Sequence, residues 1–305
     1  MTEPPAEEFV DAWVEHRAYV VDLAFRMLGN IHDAEDVVQE AFGRLLAQDQ
    51  DSIDDLRGWL VVVVSRLCLD QLRSARVRHD ATDSSLEDQL DKMTAPPVAV
   101  DPADRVTLDD SIGMALLIVL QQLGPAERAV FVLHDVFQFS FDAVAEIVGR
   151  SPAACRQLAS RARRRIESES GPARFVPDAG DQHRVAERFI AACAGGDLDA
   201  LVEMLDPDVG GDVDLGPGAP SPRPLRGVRL ISRNLLVFFG PATGNTLVSQ
   251  PVNGNPGVLA FRDRQLVSIL ELKARDGIIF DMHAVADPQR LAFVQLQLDP
   301  DHSER

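Results

Sequence analysis

Cysteine is scarce in this chain, and its few copies are placed where they exclude two kinds of stabilising site. Cys68, Cys155 and Cys193 lie far apart in a sequence of 305 residues and lack CxxC or clustered histidine partners. Neither a disulfide framework nor a zinc site is therefore expected. We expect no bound metal and no cofactor, and the reducing cytoplasm is the compartment that suits this use of cysteine.

Long apolar runs are also missing. The N-terminus, Met1 to Pro5, has neither the basic segment nor the apolar stretch of a secretory signal, and no run approaches the length of a membrane span. Export and membrane insertion are thus not expected. With 46% apolar residues, the chain still has enough apolar side chains for packed cores, and its length predicts two or three domains.

Positive charge is in deficit, since 48 acidic residues stand against 30 basic ones and give a net charge of −18. This balance excludes a general nucleic-acid coat protein, because such proteins are basic overall. Lysine occurs only at Lys92 and Lys273, so arginine carries nearly all the positive charge and offers planar, bidentate donors. Any contact with DNA must therefore be local.

One segment, Arg150 to Arg165, reverses the acidic trend with six arginines and no carboxylate. The residues at its start are typical of a helix boundary: Gly149 suits the end of one helix, Ser151 the N-cap of the next, and Pro152 its first turn. The pattern predicts a helix, a tight turn and a second helix.

The second of these helices has two distinct faces. Helical spacing predicts an apolar face made of Cys155, Leu158, Ala159, Ala162 and Ile166. The opposite face then carries Arg156, Gln157, Ser160, Arg161 and Arg164. Guanidinium and amide groups of this kind can address base edges in a major groove, with flanking arginines on phosphates. We interpret the helix as a DNA-recognition helix.

The chain divides into three parts by its pattern. The pattern predicts a helical block at residues 7 to 78, with Gly29-Asn30 as its only clear internal break. Residues 80 to 107 are predicted to form an acidic, proline-containing linker. Residues 108 to 169 are predicted to form a second helical block. A third part changes to a mixed pattern. It begins with a helix at 181 to 194, which Gly195-Gly196-Asp197 ends, and continues with strands at Leu247 to Val252, Val258 to Phe261, Leu266 to Lys273 and Ile278 to Val285. Asp276-Gly277 predicts a hairpin turn between the last two strands.

A helix in the first block has an acidic face. Ala34, Val37, Val38, Ala41 and Leu45 form one apolar stripe, and Asp36, Gln39, Glu40 and Gly43 fall on the opposite side. This face is either a solvated surface or a docking face for a basic partner. Further along, the segment from Arg57 to Arg73 is predicted to be helical despite four consecutive valines, because Arg66, Asp70 and Arg73 then share one face.

These segments together resemble the bacterial sigma factors of the extracytoplasmic-function (ECF) group. Residues 33 to 42 resemble the polymerase-binding part of region 2, and 57 to 73 the adjoining −10 element helix. Residues 123 to 165 resemble region 4, with 141 to 148 as the first helix of its helix-turn-helix. The third part resembles the SnoaL-like, NTF2-like cone domain that some members carry. It departs from them at Val209 to Asp214, which lacks their tryptophan and lysine, and Arg66 stands where many members of the wider group have asparagine.

The resemblance implies a multidomain fold: a sigma region 2 helical bundle at 1–80, an acidic linker at 81–107, a region 4 helix-turn-helix at 108–170, and an α+β NTF2-like domain at 178–300. It also implies an ECF sigma factor that binds the β′ and β subunits of core RNA polymerase and directs initiation at specific promoters, with the cone domain as a regulatory module. We expect a monomer when free, and the cone domain is a possible site for a small-molecule ligand.

Site residues follow from the same resemblance. Asp36, Gln39 and Glu40 would dock on a basic helical element of β′. The −10 element would be contacted by Arg66, Arg73 and Arg76, together with the loop from Asp49 to Leu56. The −35 element would be contacted by Arg150, Ser151, Arg156, Gln157, Ser160, Arg161 and Arg164.

Two other functions remain as alternatives. One is a helix-turn-helix regulator that acts without core polymerase. The other is an NTF2-like enzyme with a DNA-binding appendage, in which Asp281 and His283 alternate on a strand as a base and its partner. An Asp-x-His strand is more often an outward or hydrogen-bonded pair, so we assign no catalytic residue and expect that the protein is not an enzyme.

Overall fold

The computed structural model describes residues 5–48, 53–82, 123–170, 179–216, 219 and 223–298. Nearly all of the predicted linker and the start of the second helical block lie outside these residues. The described residues form two all-helical units followed by an α+β unit, which confirms the predicted fold class and matches the architecture of an NTF2-like cone in the third unit. We call them the first, second and third units.

The first unit contains helices α1 (Pro5–Leu28), α2 (Ile31–Leu46) and α3 (Leu56–Thr82). The predicted break at Gly29-Asn30 is confirmed. Gly29 adopts a φ of 81°, and the Asn30 side chain caps α2 by accepting the backbone N–H groups of His32 (2.7 Å) and Asp33 (3.2 Å). A second break separates α2 from α3, at the place where the resemblance implies a loop, whereas the helical pattern alone predicts Gly29-Asn30 as the only clear break. The end of α3 extends two residues into the predicted linker.

The run of four valines lies within α3, as predicted. Leu60, Val64 and Cys68 recur every four residues and are all fully buried, so the helix presents one apolar face to the bundle. Trp13 of α1 packs edge-on against Phe42 of α2, with 4.7 Å between ring centroids. The three helices therefore share one core.

The second unit contains α4 (Pro125–Phe131), which continues as a π-helical turn (Val132–Val136), followed by α5 (Phe141–Val148) and α6 (Pro152–Ser170). The predicted helix–turn–helix is confirmed. Gly149 ends α5 with a left-handed φ of 70°, and the Ser151 hydroxyl accepts the Ala154 N–H at 3.2 Å to cap α6.

The third unit begins with α7 (Ala179–Gly195) and α8 (Leu198–Met204) and also contains α9 (Val228–Phe239) and α10 (Pro288–Leu298). Its strands are β1 (Leu205–Asp214), β2 (Leu225–Arg226), β3 (Thr246–Ser249), β4 (Gly257–Arg262), β5 (Gln265–Arg275) and β6 (Ile278–Val285). In the described residues they form one sheet in the order β2-β1-β6-β5-β4-β3, in which β1 runs parallel to β6 and the other pairs are antiparallel.

The last four strands occur where the sequence predicts them, within a few residues at each end. The hairpin turn between β5 and β6 is also confirmed, because Asp276 and Gly277 have φ values of 52° and 79°, as a primed turn requires. The strand β1 was not predicted. Its pairing with β6 makes it a central strand of the sheet.

Two apolar clusters hold the described residues together. One lies inside the third unit and joins Phe189 of α7 to Leu272 and Met282 of the sheet. The other runs through the first and second units and continues into the third, where the rings of Phe25 and Phe261 are 5.8 Å apart. The three units therefore pack against one another through a shared core. No described helix is long and apolar enough to cross a membrane.

Candidate functional site

The acidic face of α2 has the geometry that the sequence predicts. Its apolar stripe is buried: Ala34, Val37, Val38, Ala41 and Leu45. Asp36, Gln39 and Glu40 are exposed on the opposite side. Glu40 forms an ion pair with Arg44 one turn later, at 2.6 Å, whereas Asp36 is approached from another part of the chain.

That approach comes from the β4–β5 hairpin of the third unit. The Arg264 guanidinium donates to the Asp36 carboxylate and lies 3.3 Å from Glu35 Oε2. Arg17 of α1 joins the same group, donating to Glu35 at 3.0 Å and to Thr246 of β3 at 3.1 Å. The third unit thus contacts the edge of the predicted docking face. The sequence contains no local signal for this contact, because the two sides are more than two hundred residues apart.

The predicted −10 face lies on α3. Arg66, Asp70 and Arg73 are exposed and share one side of the helix, as expected, and Arg73 lies 3.5 Å from Asp70. Arg66 also donates to the backbone carbonyl of Glu146 at the end of α5, at 3.2 Å. This contact places the end of α5 beside Arg66 at one edge of the face. The side chain of Arg76 and residues 49–52 of the predicted loop lie outside the described residues.

The predicted −35 face lies on α6 and the turn before it. The apolar side is buried, as expected: Cys155, Leu158, Ala159, Ala162 and Ile166. The candidate contact residues are all exposed: Arg150, Ser151, Arg156, Gln157, Ser160, Arg161 and Arg164. The face therefore combines several guanidinium groups with an amide and hydroxyls on one side of a helix, the chemistry that base and phosphate contacts use.

Two arginines on this face are held differently. The Arg156 guanidinium lies 5.4 Å from the centroid of the Phe141 ring, which places it at the junction of α5 and α6. Arg164 instead donates to the carbonyl and hydroxyl of Ser160 on its own helix, both at 3.2 Å. The two side chains are therefore oriented by different neighbours.

A buried polar cluster joins the first and third units. The Asp22 carboxylate of α1 accepts the Ser249 N–H at 2.7 Å and its hydroxyl at 2.8 Å, and Arg26 donates to the same hydroxyl at 2.6 Å. His183 of α7 completes the cluster, with Nδ1 at 2.9 Å from that hydroxyl. Burial, followed by the charges of Arg26 and Arg57, lowers the pKa of His183 to about 2, so its imidazole is neutral.

The first and second units share a buried arginine. Arg128 of α4 donates to the Met27 carbonyl at the end of α1, at 3.0 Å. Burial lowers the pKa of Arg128 to about 10, which still leaves it charged at neutral pH. A cation suits the C-terminal end of a helix, where unpaired carbonyls carry partial negative charge. The contact orients the second unit on the first.

Asp281 and His283 do not pair with each other. Asp281 binds Lys273 at 2.9 Å and His283 binds Asp212 at 2.7 Å, so each has a separate partner. Both lie on the sheet face opposite Met282, whose side chain belongs to the core beneath the helices. The pairing of Asp281 with His283 that the enzyme alternative assumes is therefore not formed, and each side chain is hydrogen-bonded to another residue instead.

Comparison with known proteins agrees with the resemblance to the ECF sigma factors. The model of Sigma-70 region 2 matches residues 13–78, and that of Sigma-70 region 4 matches residues 114–166. The probable ECF RNA polymerase sigma factor SigI of Mycobacterium tuberculosis is 48% identical over 290 residues, covering 94% of this chain and 96% of that protein. SigJ of the same organism is 36% identical over 291 residues, covering 90% of each chain.

A crystal structure of the same SigJ aligns with 93% of this chain and 98% of that one, at 32% identity and a TM-score of 0.37. The sequence identities and their coverage extend through all three units, beyond the two regions that the family models match. The chain therefore belongs to the extracytoplasmic-function RNA polymerase sigma factors of the sigma-70 family.

Proposed function

We propose that this sigma factor binds the β′ and β subunits of core RNA polymerase, in the cytoplasm, and selects promoters through two separate DNA-contacting faces. One observation carries the proposal: a single acidic chain exposes a carboxylate-rich face on α2 and a guanidinium-rich face on α6. The two faces have opposite charge and belong to different units. They suit two partners, a basic protein surface and DNA.

The α2 face is proposed to dock on a basic helical element of β′ through Asp36, Gln39 and Glu40. Complementary charge speeds encounter and fixes register at such a surface. The free protein is expected to bind DNA poorly, because its net charge of −18 opposes that binding. Docking on the polymerase would therefore also help the chain to bind DNA.

The DNA contacts are divided between two helices. On α6, Arg156, Gln157 and Ser160 are proposed to lie nearest the −35 bases, while Arg150, Ser151, Arg161 and Arg164 lie nearer the phosphates. On α3, Arg66, Arg73 and Arg76 are proposed to contact the −10 element. Extruding a −10 base costs about a few kcal/mol, so polymerase docking must help to hold the complex open.

The third unit is proposed to regulate these faces. Arg264 pairs with Asp36, a proposed docking residue, and the second unit contacts Arg66, a proposed −10 residue. Both surfaces are thus engaged within the chain. Polymerase can use them only if these contacts break, so the packing of the units sets a free-energy cost on holoenzyme formation.

The primary test is transcription in vitro with purified chain, core polymerase and a pool of genomic promoters. We expect initiation at a defined subset of promoters, and none without the chain. If the chain does not join core polymerase, or joins it and directs no initiation, the proposal is wrong.

The regulatory role has a sharper test, because two arginines of the β4–β5 hairpin serve as a matched pair. Arg264→Gln removes the ion pair with Asp36 and is expected to tighten binding to core polymerase about threefold to tenfold, since one competing contact is lost. Arg262→Gln changes a neighbouring exposed arginine that bonds Asn245 within the third unit, at 3.0 Å, and is expected to leave affinity unchanged. Equal effects of the two substitutions would contradict the role given to Arg264.

A further inference from the structure

A cavity of about 320 Å³ lies where the first unit meets the third. Its walls come from α1, from Arg57 at the start of α3, and from α7. The volume is at the lower end of the range for small-molecule sites, and such sites occur preferentially between domains. The cavity is separate from the sheet face that carries Asp281 and His283, and no residue of the proposed docking or DNA faces lines it.

The walls combine an apolar surface with an excess of negative charge. Ala18, Ile190 and Ala194 provide apolar contact. Among the charged groups, Glu15 and Glu187 face the guanidinium of Arg57, whereas the Asp22 carboxylate in the wall is buried, bonded to Ser249 and paired with Arg26. A cavity with this balance favours a cation with an apolar body over an anion.

The chain already places one cation there. The Arg57 guanidinium lies 3.8 Å from the centroid of the Tyr19 ring and 2.6 Å from the Glu187 carboxylate. An aromatic face beside a carboxylate is an arrangement that proteins use to hold organic cations. Half of the Arg57 side chain is exposed, so its guanidinium can leave this position without unfolding the helix that carries it.

We propose that this cavity binds a small organic cation with a guanidinium- or amidinium-type head, which displaces Arg57 from Tyr19 and Glu187. The apolar body of the ligand packs against the alanines and Ile190, and its head takes over the ring and the carboxylate. This inference deepens the regulatory role proposed above, because Arg57–Glu187 joins the first unit to the third. The bound ligand itself contacts Tyr19 of the first unit and Glu187 of the third, so it holds the two units together and favours their packed arrangement.

Binding is tested on the full-length chain without polymerase, using benzamidine as the probe and its neutral isostere benzamide as the control. Isothermal titration is expected to show binding of benzamidine and at least about tenfold weaker binding of benzamide, because the carboxylate and the ring recognise charge. Equal affinities for the two compounds would overturn the proposal.

Three variants locate the site. Glu187→Gln is expected to weaken benzamidine binding about tenfold or more, whereas Glu203→Gln, which changes an exposed carboxylate on α8, leaves it unchanged. Arg57→Ala is expected to tighten binding about tenfold, because the internal competitor is gone. A loss on Glu203→Gln equal to that on Glu187→Gln, or no tightening on Arg57→Ala, would each overturn the assignment.

The aromatic wall has its own pair of variants. Tyr19→Phe keeps the ring and is expected to retain binding, while Tyr19→Leu removes it and is expected to lose binding. Thermal unfolding checks that each variant is folded. Tyr19 packs edge-on against Phe137, so if Tyr19→Leu is unfolded, the comparison of Glu187→Gln with Arg57→Ala still decides the proposal.

The link to regulation is tested separately. Benzamidine is expected to weaken binding of the wild-type chain to core polymerase at least about twofold, because it stabilises the packed units, and to have no effect on Glu187→Gln. If the chain binds benzamidine but does not bind polymerase at all, the site stands and the proposed function fails. If it binds both and benzamidine leaves polymerase affinity unchanged, the regulatory part of this inference is wrong.

Discussion

Arg156 and Arg164 lie on the same exposed face of α6, yet their neighbours predict different roles for them. Arg156 is near the Phe141 ring at the start of the helix, where residues of a recognition helix reach base edges. Arg164 is two turns later and is held by Ser160. Position along the helix therefore separates a base contact from a phosphate contact.

We expect Arg156→Ala to relax selection at one position of the −35 element, with a loss of about 1–3 kcal/mol in discrimination there. Arg164→Ala should weaken binding on all promoters about equally and reduce its salt dependence. Transcription from a library of −35 variants measures both. Uniform loss on Arg156→Ala would show that this residue contacts only phosphate.

His183 gives the fold a predicted dependence on pH. Its pKa is about 2 in the folded chain and about 6.5 when unfolded, so the unfolded state binds a proton more tightly. The stabilisation from neutral His183 is complete above about pH 6.5 and is lost as the pH falls below that value towards 2. Each pH unit below about 6.5 should lower the free energy of unfolding by up to about 1.4 kcal/mol.

The measurement is urea unfolding at pH 7.5 and pH 5.5 for the wild type and for His183→Asn, which cannot take up this proton. We expect the variant to lose less stability between the two pH values, by about 1–1.4 kcal/mol. Burial also raises the pKa of Asp22, and its uptake of a proton at lower pH acts in the opposite direction. The comparison is therefore made above pH 5, and identical pH dependence in the two proteins would exclude His183 as the cause.

At the scale of single elements, two serine caps allow the fold and the function of the helix-turn-helix to be separated. Ser140 caps α5 by accepting the Ala143 N–H, and Ser151 caps α6 by accepting the Ala154 N–H, both at 3.2 Å. Each serine-to-alanine change is expected to lower the free energy of unfolding by about 1 kcal/mol. Only Ser151 belongs to the proposed DNA face.

Promoter binding by the holoenzyme should therefore fall for Ser151→Ala and stay near the wild-type level for Ser140→Ala, while thermal unfolding shows similar losses for both. Equal promoter binding in the two variants, at equal stability, would remove Ser151 from the DNA face.

Local pattern was enough to predict α6, because its cap, its apolar stripe and its arginines all favour the same structure. It was not enough for β1. That segment contains Pro207, two glycines and four aspartates, a composition typical of a loop, and only Leu205 and Val209 are buried in it. The strand forms because β6 pairs with it from about seventy residues away, and such pairing leaves no local signature.

The functional residues show the same division. The exposure of Asp36, Arg66 and Arg156 follows from helical spacing and was predicted. The partners of the first two, Arg264 and the Glu146 carbonyl, depend on how the three units pack, and no local pattern predicts them. Helical spacing determines which side chains are exposed, and tertiary packing determines which of the exposed side chains bond to another part of the chain.

At the scale of the whole molecule, the contacts between units predict that a chain locked in this arrangement cannot serve polymerase. His32 at the start of α2 and Arg264 are neighbours, with 3.4 Å between Nδ1 and Nη1, and neither is a proposed polymerase or DNA contact. Replacing both with cysteine allows the third unit to be tied to the first by a short reagent that bridges two thiols reversibly. The three native thiols are buried, and burial raises the pKa of each, that of Cys193 to about 12, so they should react slowly.

We expect the bridged double variant to bind core polymerase at least about tenfold more weakly than its reduced form, with dithiothreitol restoring affinity and promoter-directed initiation. The two single-cysteine variants, treated with the same reagent, control for modification itself, because they gain a thiol without a tie. A bridged chain that binds polymerase and initiates as well as the reduced chain would show that the first and third units stay together in the holoenzyme. In that case the contact of the third unit with α2 would not compete with polymerase, and the Arg264 contact would have to be assigned to folding.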